Sequence, residues 1–131
     1  MTRTAAVFAW LAGIEFGLPA IQAIHHFVET GAVWTFMGFP TYGEGPIEEM
    51  GIATSVPLLV AFFVVYIAEL VMGWLLWTGR RRGVALSFGL LPLELVFWIG
   101  FGLPVGPAVA LVRTGLVIAV LRANRSAGPD A

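Results

Sequence analysis

Four apolar segments, Ala5–His26, Ser55–Trp77, Val84–Leu103 and Pro107–Leu121, make up most of this chain. Each is close to the roughly 20 residues that a helix needs to cross ~30 Å of hydrocarbon, the last being the shortest. Hydrophobic residues account for 59% of the 131, and only 11% are charged. A soluble domain of this length cannot bury so much apolar surface, so composition points to an integral membrane protein. The expected fold is all-α: one four-helix membrane domain over residues 1–131, an up-down bundle spanning at 5–26, 55–77, 84–103 and 107–121.

The placement of charge orients that bundle. Arg3 precedes the first segment, Arg80, Arg81 and Arg82 separate the second from the third, and Arg122 and Arg125 follow the fourth. The long connection from Glu29 to Gly51 carries Glu29, Glu44, Glu48 and Glu49 but no basic residue. All six of these arginines therefore fall on one side, which the positive-inside rule makes cytoplasmic. The expected location is the inner (plasma) membrane, with both termini inside and the long connection outside. That connection carries Trp34, Phe36, Phe39 and Tyr42, aromatics suited to the membrane interface, and Gly45-Pro46 reads as a helix start. The tight turn from Gly102 to Pro107 requires the last two helices to be antiparallel neighbours. The tail from Ala123 to Ala131 is expected to be disordered. The chain has no cysteine, which excludes disulfides, thiolate metal sites and cysteine nucleophiles.

The first segment is apolar yet carries a polar stripe. At about 100° per residue, Pro19, Gln22 and His26 fall within roughly 40° of Glu15. Gly13 and Gly17 form a G-x-x-x-G on the other side, suited to close helix approach within the bundle or across a dimer. Pro19 removes the backbone bond to the Glu15 carbonyl, so a kink is expected there. His25 and His26 have no second histidine cluster to work with, so neither a metal nor another cofactor is expected.

Depth links this stripe to the other segments. Glu15 is twelve residues past Arg3, Glu69 eleven before Arg80, Glu94 twelve past Arg82, and Arg113 nine before Arg122. At 1.5 Å per residue these are ~18, ~16, ~18 and ~14 Å from the arginine layer. Each helix thus contributes one ionisable residue to a thin slab near the bilayer midplane. Each costs ~2.5–3.5 kcal/mol there on the insertion scale unless it faces the bundle interior and finds a partner. All four are therefore expected to converge, with Arg113 able to hold one carboxylate bidentately. The two others are either protonated, giving a proton-exchanging site, or ionised, giving excess negative charge suited to a cationic ligand. Gln22, His26, Tyr66 and Trp98 extend the polar lining as candidate ligand contacts.

Protonated carboxyls beside an ion pair suit acid–base chemistry on a lipophilic molecule, and aromatics such as Phe62, Tyr66 and Trp98 suit a cationic intermediate. Pro46-Ile-Glu-Glu49 and Pro92-Leu-Glu-Leu-Val-Phe97, with Gly31-Ala-Val-Trp34 upstream, resemble the P-x-E-E and P-x-E-x-x-F motifs of small membrane-embedded carotenoid (lycopene) cyclase domains. That resemblance implies an isoprenoid cyclase, a membrane isomerase in the broad sense, whose motif carboxylates are Glu48, Glu49 and Glu94. It covers about 45 residues, and the chain departs from it in having four segments, Met50-Gly51 after the first motif, and Arg113. Four helices and a Glu in the middle of the first also resemble the small multidrug resistance transporters. There the chain departs in its long loop, its midplane Arg and its three membrane carboxyls. That resemblance implies a dimeric proton- or cation-coupled exporter working through Glu15.

The function expected first is binding of, or acid–base chemistry on, an isoprenoid-like molecule at the Glu15, Glu69, Glu94 and Arg113 site. The alternatives are a small exporter and a non-catalytic membrane scaffold or subunit. Expected partners are the lipid bilayer, a lipophilic small molecule and a second copy in a homo-oligomer, with no nucleic acid. The three readings differ in what surrounds the charged residues. A binder or enzyme needs a cavity there and a transporter needs a water path. A scaffold needs Arg113 saturated by carboxylates with no space beside it.

Overall fold

The computed structural model describes residues 2–126. Its elements are α1 (Thr2–Thr30), a two-stranded hairpin of β1 (Thr35–Phe36) and β2 (Phe39–Pro40), a single turn α2 (Pro46–Glu49), α3 (Val56–Trp77), α4 (Arg81–Gly100) and α5 (Val105–Ser126). Four of them, α1, α3, α4 and α5, are long and apolar enough to cross a membrane. α1 packs on α3 and α5, and α4 packs on the same two, giving a four-membered ring. Thr2, Arg80, Arg81, Asn124 and Arg125 line one cavity, so successive long helices alternate in direction and the arginines gather at one end.

The helix ends are written locally. Gly79 and Gly102 take left-handed φ values of 68° and 66° just past α3 and α4. Behind them Arg80 N–H donates to the Leu75 carbonyl (2.9 Å) and Leu103 N–H to the Trp98 carbonyl (2.7 Å). This six-to-one bond with glycine in the left-handed position satisfies carbonyls that the helix leaves free. α3 starts from an extended Ser55 followed by proline in its first turn, where the missing N–H costs nothing.

The burial pattern is inside-out relative to a water-soluble bundle. Ile14, Leu18, Ile21, Val64, Ile67, Val71, Leu93, Val96, Leu111 and Val112 are exposed, while Glu69, Glu94 and Arg113 are completely buried. Apolar lipid provides little drive to bury leucine, so small residues set the contacts. α1 illustrates this. Its inward arc is Ala5, Ala9, Ala12, Phe16, Ala20 and Ala23. Gly13 and Gly17 lie against α3, where a Cβ on Gly13 would sit 3.2 Å from the Tyr66 carbonyl and one on Gly17 3.3 Å from the Tyr66 Cβ. The G-x-x-x-G is thus used within the chain.

The end opposite the arginines is closed by the connection after α1. Met37 (φ 52°) and Gly38 (φ 84°) make a two-residue turn with both centres left-handed, which suits the twist of the paired strands. Tyr42, also left-handed at φ 61°, is driven into the bundle. Its hydroxyl donates to the Phe16 carbonyl at 2.9 Å, and its ring lies 4.5 Å from Phe62 and 5.9 Å from Phe101. Burial and then the Glu15 charge push the Tyr42 phenol above its usual range, so this donor keeps its proton. Ile47 of α2 completes the plug against Gly100.

Several boundaries differ from the sequence reading. α1 extends beyond 5–26 at both ends, because polar Thr2–Thr4 and Phe27–Thr30 continue the helix outside the apolar stretch. α4 starts and stops about three residues before the expected 84–103, since Arg81–Gly83 are helical and Gly102 is the stop. α5 runs to Ser126, so the tail is helical for four residues beyond Arg122, and residues 127–131 lie outside the described residues. α1 continues through Pro19. Glycine positions give a direct test of this packing. A Cβ on Gly45 would meet the Gly100 carbonyl at 2.6 Å and Phe101 backbone at 3.1 Å, whereas Gly115 in α5 faces open space. Gly45→Ala is expected to destabilise by about 1–3 kcal/mol. Gly115→Ala is expected to stabilise by about 0.5–1 kcal/mol. Reversible unfolding in detergent micelles measures both.

Candidate functional site

The buried charges form a three-helix bridge. Arg113 Nη1 donates to Glu69 Oε1 at 2.6 Å, and Nη2 donates to Glu94 Oε2 at 2.7 Å. The guanidinium therefore does not hold one carboxylate bidentately, as the sequence suggested. It divides its fork between its ring neighbour α4 and, across the ring, α3, each of which offers one carboxyl at a similar depth. All three side chains have zero accessible surface, so no water-sized space adjoins them. One guanidinium balances one carboxylate, and a dry site holds the second carboxyl most cheaply with a proton on the pair.

Further buried polar atoms surround the bridge. Glu69 Oε2, Glu94 Oε1, Arg113 Nε, Tyr66 OH, Trp98 Nε1 and Thr114 Oγ1 are buried without a hydrogen-bond partner. Tyr66 and Trp98 lie one turn from Glu69 and Glu94 towards the hairpin end. Phe16 fills the space between them, 5.5 Å from the Tyr66 ring and 6.0 Å from that of Trp98. Sequence reasoning named Tyr66 and Trp98 but missed Phe16, Tyr42 and Thr114. The signal for Phe16 was present in its place on the alanine arc of α1, the face that close helix packing selects.

Glu15 is not part of the bridge. The structure brings Glu69, Glu94 and Arg113 together and leaves Glu15 exposed on the outer surface of α1, with Gln22 exposed and His26 half-buried on the same stripe. A residue adjacent to Phe16 is turned about 100° from it, and Phe16 occupies the inward position. The expected convergence of four ionisable residues is therefore a convergence of three. His25 pairs with Glu29 at 3.3 Å on the exposed last turns of α1. Among the described residues no group of His, Asp and Glu is arranged to hold a metal ion.

The two P-x-E motifs are also separated. Glu49 is exposed, and Glu48 accepts bonds from the Thr54 hydroxyl and, at 3.2 Å, the Thr54 N–H, fastening α2 to the start of α3. Glu94 lies six residues below Gly100, on which α2 rests, or about 9 Å deeper. No protein-family model matches the chain, and no curated protein and no solved structure is similar to it.

Two substitution sets check the geometry. Glu69→Gln and Glu94→Gln each mimic a protonated carboxyl and are expected to cost no more than about 1.5 kcal/mol. The double variant strands Arg113 and is expected to cost about 3–5 kcal/mol, read from unfolding in micelles. If either single change cost as much as the double, the shared-proton arrangement would be wrong. At the surface, the Thr54 hydroxyl holds Glu48 below the usual carboxylate range. Its contribution to stability is present above the ordinary pKa of about 4.3 and lost as pH falls through the lowered folded value. Thr54→Val should return Glu48 to the ordinary range in a carboxyl NMR titration.

Proposed function

We propose that this chain is a non-catalytic subunit of a membrane assembly, a bundle pinned by the Glu69–Arg113–Glu94 bridge that offers the Glu15 face of α1 to a partner helix. The observation that carries this reading is the contrast between the two kinds of midplane charge. The bridge is sealed with zero accessible surface, while Glu15 lies at similar depth on the outside of the bundle. An ion bridge with no space beside it has nowhere to receive a substrate. An unpartnered carboxyl among exposed Leu11, Ile14 and Leu18 has every energetic reason to meet another polar group.

Charge complementarity sets the class of partner. Glu15, Gln22 and His26 offer a carboxylate, an amide and an imidazole along one stripe, matched by a transmembrane helix with a basic or amide residue at the midplane. A second copy of this chain would bring Glu15 against Glu15, since its own Arg113 is fully buried. By the positive-inside rule the arginine end lies in the cytoplasm and both termini with it.

Blue-native electrophoresis of membranes from the producing cell tests this. The wild-type chain is expected to migrate in a complex larger than the monomer. Glu15→Leu is expected to release the monomer without loss of folding. Replacing Glu69, Glu94 and Arg113 together by Met keeps the core filled and is expected to leave the complex intact, because an apolar replacement of a buried ion bridge is often tolerated. A wild-type chain that already runs as a monomer, or a Glu15→Leu complex of unchanged size, would overturn the reading. Loss of the complex in a folded triple-Met variant would return function to the bridge itself.

A further inference from the structure

The arginine end of the bundle holds a cavity of about 400 Å3 to which all four long helices contribute. Three of the six arginines at this end line it: Arg80 and Arg81 from the turn into α4, and Arg125 from the end of α5. The other three are placed elsewhere. Arg3 lies with its guanidinium 5.2 Å above the Trp77 ring, and Arg82 and Arg122 are exposed outside the cavity. Among the described residues no acidic side chain lines the cavity and none pairs with Arg80, Arg81 or Arg125. Leu76, Val84 and Val120 make part of the wall apolar.

Three like charges around one opening repel one another, and an anion between them relieves that repulsion while accepting charge-assisted hydrogen bonds. Topogenic charge alone asks only that arginines lie on one face, not that they border a cavity. We infer that this cup binds an anionic phospholipid, its phosphate held by Arg80, Arg81 and Arg125 and the start of its acyl chain against Leu76, Val84 and Val120. A phosphate group is the shared chemistry of lipid and soluble ligands, and the apolar wall favours the lipid. The cup lies about 16 Å of helix from the charge bridge, counting from Arg80 to Glu69, so this inference does not rest on the partner reading of α1.

The full chain, purified in a neutral detergent, is titrated with short-chain phosphatidylglycerol, short-chain phosphatidylcholine or inorganic phosphate while its apparent Tm is followed. Phosphatidylglycerol alone is expected to raise Tm saturably. Arg80→Gln, Arg81→Gln or Arg125→Gln should each weaken half-saturation about fivefold, the effect of one basic residue near an anionic lipid. Arg122→Gln removes the same charge outside the cup and should leave half-saturation unchanged. Val120→Trp fills the cup without altering charge, so it separates loss of binding from altered topology and should abolish saturation. Equal responses to the two lipids would overturn the inference, as would a loss in Arg122→Gln equal to that in Arg80→Gln. So would unchanged affinity in a folded Val120→Trp variant. Full protection by inorganic phosphate alone would assign the cup to a soluble phosphate compound and remove the lipid.

Discussion

Arg113 is the group on which the bundle's arrangement depends. A guanidinium remains charged at any ordinary pH, so a helix carrying one into an apolar medium must bring it to a counter-charge. Here it reaches two carboxyls, one on the adjacent α4 and one across the ring on α3, and so fixes the rotation and axial register of α3, α4 and α5 together. Such bridges add little net stability over a well-packed apolar core, but breaking one strands a buried charge. Their effect is to make every other register much worse than the observed one.

α1 is attached by different means. It contributes no charge to the bridge and instead lies in close contact through alanine and glycine, with Trp10 Nε1 donating to the Leu70 carbonyl at 3.2 Å and Phe16 packed between Tyr66 and Trp98. Tyr42 then ties the connection after α1 back to α1 at Phe16, beside the stripe. Three helices are thus fixed by ion pairing and the fourth by shape. Only on the shape-packed helix is a midplane carboxyl free to face outward.

This division gives the molecule a closed centre and two polar features on its periphery, the Glu15 stripe and the arginine cup. Both consist of polar groups without a partner in the chain's own described residues, placed where apolar side chains would have been cheaper.

The sequence by itself determined the number of long helices, the common depth of Glu69, Glu94 and Arg113, and the end at which the arginines gather. These follow from composition and from the fixed rise per residue of a helix, both of which are local. Which way each helix turns is not local. Glu15 has the depth of the bridge residues, but depth is set along the helix axis and inclusion by rotation about it. Rotation of α1 was decided by the close fit of Ala12, Gly13, Phe16 and Gly17 against neighbours distant in sequence. The insertion of Tyr42 and the division of Arg113 between two carboxyl groups were decided in the same way. Each depends on several helices meeting at one point, which only the tertiary structure specifies.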